Sequence, residues 1–297
     1  MAWIDPKTGE VRDDGLQMNS ELKQTARNPK QDGSGMWSCR PQAGKCPNGC
    51  NQCFYNRDNA YYCEINQPNI PTPEEVGDDI VRMNSGHDSN VQKDLVLKTA
   101  AQYKYVFFNT SVPDFDFPGP VVFTANAKEE EPAHCPIVNH RTMTRQLPPK
   151  LERQFDRLMF VRLRVSPTNL EFIRQAVACW AAVHVPVVLT FMAYYDQDPP
   201  GLEKIGDDFY WESGERNGYR AYTWRKRTLN SYYCPTCEWN RQVTLDMKKY
   251  AGSGGRNVTL CGTYDGAKCA DCHNCETYYW QTRKHLIETG VMLGEER

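Results

Sequence analysis

Short apolar runs recur along the chain and have the length and composition of β-strands. Four of them lie in the middle of the sequence, at 105–111, 121–126, 160–166 and 187–192, and a shorter run at 36–40 leads into a cysteine-rich loop. The runs are rich in β-branched and aromatic residues, and Gly, Pro or Asn lie at many of their ends. This pattern predicts β-strands.

Segments whose apolar residues recur at helical spacing lie between several of these runs. Between the last two, apolar residues follow one another at helical spacing, namely Leu170, Ile173, Val177, Trp180 and Ala181. A second helix is predicted at 91–102, and Thr72-Pro73-Glu74-Glu75 is typical of a helix start. Because a strand, a helix and a strand of these lengths form a βαβ unit with parallel strands, we predict an α/β fold.

Polar side chains share one face of two predicted strands. In the run that begins at 160, Arg162, Arg164 and Ser166 alternate with apolar residues, and Thr124 and Asn126 share a face in the same way. A strand with helices over one side and polar groups on the other favours a partial barrel whose polar interior carries the functional site. The other interpretation is an edge strand with one solvated face.

The length of 297 residues, of which 40% are hydrophobic, fits one large domain, or a domain of roughly 200 residues with a small appendage. We predict a polar lead-in at 1–35, the main domain at 36–230 with a loop-rich region from 199, and a cysteine-rich module at 231–297. The formal net charge of −2 excludes a global basic field of the kind that marks nucleic-acid binders.

The chain is expected to be a cytoplasmic protein with no membrane partner. Its start lacks the basic residues and apolar run of a signal peptide. The apolar stretch 176–193 contains His184 and Pro186, so a helix followed by a buried strand explains it better than a membrane-spanning helix.

Thirteen cysteines are present, and nine of them fall into two clusters. The first cluster contains Cys46, Cys50 and Cys53, and the second contains Cys234, Cys237, Cys261, Cys269, Cys272 and Cys275. In a reducing cytosol, clustered cysteines indicate metal binding more than disulfides. Cys179 lies within an apolar run and is expected to be a core residue.

The first cluster reads Lys45-Cys46-Pro47-Asn48-Gly49-Cys50-Asn51-Gln52-Cys53-Phe54-Tyr55, which describes a tight loop folded around one object. Thiolates are the ligands of iron–sulfur clusters and of zinc. Three protein ligands leave one metal position open for chemistry, whereas a structural site closes with four. The alternative is a closed site, with zinc or an inert cluster, in which Cys39 or Cys63 is the fourth ligand.

The spacing Cys-x3-Cys-x2-Cys followed by an aromatic residue resembles the signature loop of radical S-adenosylmethionine (radical SAM) enzymes, and the resemblance covers roughly residues 36–195. It implies a partial (β/α) barrel and a [4Fe–4S] cluster on Cys46, Cys50 and Cys53, whose fourth iron binds S-adenosylmethionine (SAM). It further implies cleavage of SAM to a 5′-deoxyadenosyl radical, and an electron donor such as flavodoxin or ferredoxin. The reaction class, isomerase or mutase, lyase or transferase, stays open.

Two features depart from this family. The Gly-Gly-Glu run with which many members bind the amino group of SAM is missing at the end of the second predicted strand, where Phe108-Asn109-Thr110-Ser111 stands instead. The segment 113–120 is too short for a connecting helix, so we expect an abbreviated barrel. By position and polarity alone, the candidates for SAM contacts are Asn109, Ser111, Thr124, Asn126, Arg164 and Ser166.

The second cluster combines Cys234-Pro-Thr-Cys237 with Cys269-Ala-Asp-Cys272-His-Asn-Cys275, and Cys261 lies between them. Such a set predicts a metal, either an auxiliary [4Fe–4S] cluster, which we favour, or zinc in a ribbon. Cys261, Cys269, Cys272 and Cys275 are compact enough to act alone. His273 is expected to be an exposed loop residue.

The segment 216–227 interleaves basic and aromatic residues, a pattern that can neutralise phosphate and stack on nucleobases. It favours a nucleobase, nucleotide or DNA as the substrate, and some compact radical SAM proteins that act in thymine hypermodification look similar. A solvated surface strand explains the segment equally well. Two other interpretations are radical modification of a peptide or small molecule, and a non-catalytic, zinc-dependent nucleic-acid-binding protein.

Overall fold

The computed structural model describes residues 25–50, 53–56, 62–127, 155–166, 169–191, 240–263 and 268–293, and the backbone alone of some further strands and of the first turns of one helix. In chain order the strands are β1 Trp3–Ile4, β2 Val11–Arg12, β3 Met36–Cys39, β4 Ile80–Met83, β5 Val106–Thr110, β6 Val121–Thr124, β7 Val138–Asn139, β8 Thr144–Arg145, β9 Leu158–Val165, β10 Val187–Phe191, β11 Ala193–Tyr194, β12 Phe209–Arg216, β13 Tyr219–Lys226 and β14 Val258–Leu260. The helices are α1 Pro73–Val76, α2 Lys93–Ala100, α3 Leu170–Ala182, α4 Pro235–Tyr250, α5 Cys269–Cys272 and α6 Asn274–Glu288.

Seven strands form one sheet in the spatial order β14-β10-β9-β6-β5-β4-β3, and all neighbouring pairs are parallel. The spatial order is the order of these strands along the chain. A doubly wound sheet reverses its strand order at a switch point, whereas a barrel adds each strand beside the previous one. The α/β fold is therefore confirmed, and its sheet is compatible with a partial barrel.

One face of the sheet packs against helices. Alternate residues of β9, Val161, Leu163 and Val165, join a large core with Trp180 of α3 and Met247 of α4. The side chain of Trp180 is fully buried. Because α3 connects the parallel strands β9 and β10, the predicted βαβ unit is confirmed.

The opposite face, here called the inner face, changes from apolar to polar along each strand. Its apolar part contains Met36, Ile80, Phe107, Val122, Phe160 and Val188, which form a second core with Tyr279 of α6. Two positions further along the same strands stand Ser38, Arg82, Asn109, Thr124, Arg162 and Thr190. Helix α6 therefore covers the apolar part, and the polar part lies towards the carboxyl ends of the strands.

Most predicted elements have counterparts in the structure, with ends displaced by one or two residues. Thr72 caps α1 and forms a capping box with Glu75, as its sequence indicates. Strand β4 was missed, because it has four residues and the polar Arg82 lies in its middle. The expectation of a loop-rich region from 199 was wrong for the hairpin of β12 and β13, each eight residues long.

The cysteine-rich end of the chain is not confirmed as a separate module. Strand β14 pairs with β10 and continues the main sheet, while Tyr279 of α6 enters the core of the inner face. The predicted lead-in at 1–35 falls largely outside the described residues. None of the helices among the described residues combines the length and the hydrophobicity of a membrane-spanning segment.

We expect the contribution of the buried Cys39 thiol to the free energy of unfolding to decrease at alkaline pH. Burial raises the pKa of this thiol from 9.0 to about 12. Between these values only the unfolded chain loses the proton, so the stability is present below pH 9 and declines as the pH rises towards 12. In metal-free urea titrations, Cys39→Ala should therefore be less destabilising at about pH 11 than at about pH 8. An equal cost at both pH values would contradict this assignment.

Candidate metal centre at the carboxyl edge of the sheet

The loop that carries Cys46, Cys50 and Cys53 follows directly from β3, the first strand of the parallel sheet. It begins at the carboxyl edge, where loops from successive parallel strands meet and where α/β proteins place their sites. The Cys46 side chain is buried, and those of Cys50 and Cys53 are partly exposed. The first cysteine cluster therefore lies where a catalytic centre is expected.

Arg40 ties this loop to the strand from which it leaves. The side chain of Arg40 is fully buried. Its guanidinium donates hydrogen bonds to the main-chain carbonyl oxygens of Gln42 (2.7 Å), Glu64 (2.7 Å), Ile65 (3.1 Å) and Gln67 (2.8 Å). One buried cation thus joins the start and the end of the loop, and it donates to carbonyl groups that lie outside any sheet or helix.

Two side chains of a short 3-10 helix at Phe54–Asn56 fix the position of Cys46. The amide of Asn56 accepts from the main-chain nitrogen of Cys46 at 2.9 Å and donates to its carbonyl oxygen at 3.0 Å. The hydroxyl of Tyr55 donates to the carbonyl oxygen of Gly44 at 2.6 Å and accepts from Arg40 at 3.0 Å. The residues after Cys53 thus hold the backbone of the first cysteine.

Cys50 is linked to the ends of β4 and β5 through Ser111. The Ser111 hydroxyl lies 3.8 Å from the Cys50 sulfur and donates to a carboxylate oxygen of Asp88 at 2.8 Å. The same oxygen accepts from the main-chain nitrogen of Ser111 at 2.6 Å, and the Asn48 amide donates to the Ser111 hydroxyl at 3.2 Å. Asp88 is buried, and its other oxygen accepts from Thr110 at 2.9 Å. Asp88 therefore positions the support beneath Cys50.

The raised pKa values of Cys46 and Cys50 keep these two thiols in their neutral form as long as no cation lies beside them. Burial raises the pKa of the Cys46 thiol to about 11, and the charges of Asp88 and Cys50 add to this rise. Burial also raises the pKa of Cys50, and Cys53 adds to it, whereas Ser111 and Arg164 lower it. A bound metal would remove this penalty, because metal ions stabilise thiolates. The donor set is therefore suited to a metal centre.

The geometry does not match a preassembled site for a single ion. Among the described residues, no three Cys, His, Asp or Glu side chains converge closely enough to hold one metal ion. Zinc needs its thiolates about 3.8 Å apart, given Zn–S bonds of about 2.3 Å in a tetrahedron. A cubane is larger than one ion and holds its ligands further apart. The presence of a metal in either cysteine group stays a prediction.

The two cysteines considered as fourth ligands lie in different places. The Cys39 sulfur faces the core on the helix side of the sheet, where the Tyr103 hydroxyl donates to it at 3.7 Å. Cys63 packs against the small cluster formed by Cys46 and Tyr55, and its sulfur accepts from Arg40 at 3.8 Å. Cys39 therefore serves the fold, and Cys63 is the remaining candidate for a closed site.

The predicted SAM contacts divide into two groups. Ser111 and Arg164 lie close enough to Cys50 to change its pKa. By contrast, the Asn109 amide donates to the carbonyl oxygen of Met83, and Asn126 hydrogen-bonds both the main-chain nitrogen and the carbonyl oxygen of Arg164. These two amides, which are buried, hold neighbouring strands together. Thr124 lies on the inner face, and the main-chain nitrogen of Ser166 donates to Asn169.

The sequence analysis placed the segment from Phe108 to Ser111 at the end of the second strand, and this prediction was wrong. Phe108 to Ser111 stands at the end of the third strand of the sheet, because the unpredicted β4 is the second. The segment that follows the second strand contains Asn84, His87 and Asp88, all buried. Burial lowers the pKa of His87, whose Nδ1 accepts from the main-chain nitrogen of Asp88 at 3.0 Å. Arg40, Asn56 and Asp88 were not singled out from the sequence, because each acts through contacts distant along the chain.

The described C-terminal cysteines gather at the end of β14 and at the starts of α5 and α6. The main-chain nitrogen of Gly262 donates to the Cys272 sulfur at 3.2 Å. Burial raises the pKa of the Cys275 thiol to about 12, while Arg162 and Arg82 lower it. His273 is exposed, as expected. Cys234 and the side chain of Cys237 lie outside the described residues.

We expect Asp88→Asn to destabilise the protein by about 1.5–3 kcal/mol, the usual value for hydrogen bonds to a charged group. An amide offers one oxygen where the carboxylate offers two, so it cannot accept from both Thr110 and Ser111. Urea denaturation of the metal-free protein measures this loss, with the exposed Asp116→Asn as the matched control. Equal stabilities of the two variants would refute the positioning role of Asp88.

In comparisons with known proteins, no family model, no curated protein and no solved structure matches this chain.

Proposed function

We propose that this chain is a radical SAM enzyme that binds a [4Fe–4S] cluster through Cys46, Cys50 and Cys53. The observation that carries the proposal is the position of the Cys-x3-Cys-x2-Cys loop, which follows the first strand of a seven-stranded parallel sheet built in sequential order. When bound with SAM, the cluster supplies the electron that breaks a sulfur–carbon bond and yields a 5′-deoxyadenosyl radical for hydrogen abstraction. Three thiolate ligands leave one coordination position open for an exchangeable ligand.

The protein's own residues would hold and shield this chemistry. Arg40 and Asn56 fix the loop, and Asp88 supports Cys50 through Ser111. The guanidinium of Arg164 offers a positive charge near Cys50 for the carboxylate of SAM, and Ser111 offers a hydroxyl. Tyr279 and Trp280 of α6 pack against the apolar half of the inner face, which limits access for water from that side.

A nucleobase, a nucleotide or DNA is the substrate class that we favour. Its support is the basic and aromatic segment 216–227, most of which forms strand β13, the central strand of a three-stranded antiparallel sheet with β11 and β12. An electron donor such as flavodoxin or ferredoxin would reduce the cluster. The proposal places this chemistry in the cytoplasm, where thiols stay reduced.

Anaerobic reconstitution with iron and sulfide, followed by SAM and dithionite, tests this function. We expect a brown protein that absorbs at about 400 nm and releases 5′-deoxyadenosine. Addition of DNA, free nucleotides or a peptide in parallel reactions then identifies the substrate class by the increase in 5′-deoxyadenosine that it causes. A colourless, zinc-loaded protein that binds DNA and ignores SAM would overturn the proposal in favour of a nucleic-acid-binding protein.

A further inference from the structure

Two arginines stand on the polar part of the inner face, on strands that are not neighbours. Arg82 lies in β4 and Arg162 in β9, and β5 and β6 separate these strands in the sheet. Their guanidinium groups nevertheless interact, because burial lowers the pKa of Arg162 and the positive charge of Arg82 lowers it further. The two side chains therefore converge over the strands between them.

This pair of cations lacks a balancing anion among the described residues. Both side chains are partly buried, and neither forms a salt bridge with a carboxylate in the described part of the chain. The Arg162 guanidinium lies 5.7 Å from the centre of the Phe160 ring, which carries no net charge. Cys269 and Cys275 also interact with Arg82, but thiols are neutral near pH 7. Two neighbouring cations withdrawn from water are costly unless an anion binds between them.

Hydrogen-bond donors beside the arginines are left without acceptors. The Nε atom of Arg82 is buried with no acceptor among the described residues. Its neighbour on β3, Ser38, donates to the side chain of Gln31, which is fully buried and whose Nε2 atom has no acceptor there either. On β10, the strand next to that of Arg162, the hydroxyl of Thr190 is buried in the same unpaired state. Such a set of donors fits an anionic ligand with several oxygen atoms.

A phosphate monoester matches these groups better than other anions do. Near pH 7 it carries about 1.5 to 2 negative charges and three acceptor oxygens, so it balances two guanidinium groups. A carboxylate and a phosphodiester carry one charge each, and either of them would leave one arginine unbalanced. The planar guanidinium also binds phosphate oxygens through pairs of N–H groups.

The space between the arginines lies next to the first cysteine loop. Arg164, which is near Cys50, follows Arg162 at the next position on the same face of β9. Two residues of a strand span about 6.6 Å. A molecule that binds Arg162 therefore borders the proposed centre. On β5, between the two arginine strands, the Oδ1 atom of Asn109 is buried with no donor in the described part of the chain, and a hydroxyl group of the same molecule can supply one.

We propose that Arg82 and Arg162 bind the phosphate monoester of a small molecule on the inner face of the sheet, beside the first cysteine loop. That this molecule is the substrate rests on the function proposed above. The site then narrows the substrate class to a phosphate monoester such as a nucleoside monophosphate, and it disfavours DNA, whose internal phosphates are diesters. Phosphate binding itself requires neither SAM nor a metal cluster.

Calorimetric titration of the wild-type protein, without SAM or reductant, tests the ligand class. The probes are inorganic phosphate, the common nucleoside 5′-monophosphates, the matching nucleosides and the corresponding dinucleoside phosphodiesters. We expect at least one monophosphate to bind about tenfold or more tightly than both its nucleoside and its phosphodiester, and inorganic phosphate to compete with it. Monophosphates that bind no more tightly than their nucleosides, or no more tightly than the phosphodiesters, would overturn the proposal.

Substitution of the arginines tests the site itself. Arg82→Gln and Arg162→Gln should each weaken the binding of the monophosphate about tenfold or more and leave nucleoside binding unchanged. Arg162→Lys keeps the charge but loses the paired N–H groups, so it should lie between Arg162→Gln and the wild type. The exposed Arg256→Gln is the control for the loss of one cation elsewhere. Equal affinities of the Arg162→Gln and Arg256→Gln variants would refute the assignment.

Two further results separate this site from its alternatives. Phosphate that binds only after Cys269 and Cys275 have been replaced by alanine would overturn the proposal, because thiolates would then be the anions that balance the arginines. Wild-type protein that binds the monophosphate but forms no 5′-deoxyadenosine with SAM and dithionite would support this site and overturn the radical function. Formation of 5′-deoxyadenosine without any monophosphate binding would overturn this site alone.

Discussion

Replacement of Cys50 by alanine is expected to reduce the formation of 5′-deoxyadenosine below detection. Cys50 is the middle ligand of the proposed centre, and its sulfur lies beside Ser111, which Asp88 holds in place. Loss of one of three thiolates leaves two protein ligands, which do not hold a cubane in position for SAM. Product chromatography after reaction with SAM and dithionite measures the effect.

Cys179→Ala is the matched control for this experiment. Cys179 is also a buried cysteine, but it packs in the helix-side core. Its replacement removes one sulfur from the core and should cost no more than a modest amount of stability, with iron content and product formation kept. Product formation by Cys50→Ala at the level of Cys179→Ala would remove Cys50 from the proposed site.

Replacement of Arg40 by leucine is expected to disorganise the whole cysteine loop and to destabilise the metal-free protein by about 4 kcal/mol or more. The change leaves the carbonyl oxygens of Gln42, Glu64, Ile65 and Gln67 without the donor that they share. Each buried polar group that loses its partner costs about 1–3 kcal/mol, and solvent entering the loop recovers part of this sum. Urea denaturation measures the stability, and iron analysis after reconstitution measures how much metal the cysteine loop still binds.

The exposed Arg256 provides a matched control for the buried Arg40. Arg256→Leu is the same chemical change at an exposed site, and it should alter stability by no more than about 0.5 kcal/mol. Arg40→Leu should also lose the iron of the first loop, whereas the Arg256 variant should keep it. If both variants unfold at the same urea concentration, Arg40 does not organise the loop.

The parallel sheet could be predicted because its strands obey local rules. The β-branched runs at β5, β6, β9 and β10 carry their own signal, and the helical spacing of α3 identifies the βαβ unit. Strand β4 carries too weak a signal, since only four residues form it and Arg82 interrupts the apolar pattern. Its omission displaced the order of the strands by one and misplaced Phe108 to Ser111.

The supports of the site could not be predicted, because they are distant in sequence. Arg40 binds carbonyl groups up to 27 positions away, and Asp88 binds Ser111, 23 positions away. Main-chain carbonyl groups carry no side-chain signature, so no motif identifies their donor. The cysteines could be found, because three thiols within eight residues are a local pattern.

The location of the C-terminal cysteines depended on the tertiary structure as well. The spacing of Cys269, Cys272 and Cys275 indicates metal binding, but it does not say which surface they meet. Packing of Tyr279 into the inner face brings these thiols towards Arg82 and Arg162, which lie on two non-adjacent strands. Only the folded sheet places those two arginines together.

Electron paramagnetic resonance of the dithionite-reduced protein, with and without SAM, tests the central claim most directly. In a variant in which Cys269, Cys272 and Cys275 are alanine, the proposal predicts a reduced [4Fe–4S] signal that changes when SAM binds to the iron left without a protein ligand. A cluster signal that SAM leaves unchanged would show that a fourth side chain closes the site. A loop that takes up zinc and gives no cluster signal would contradict the claim equally.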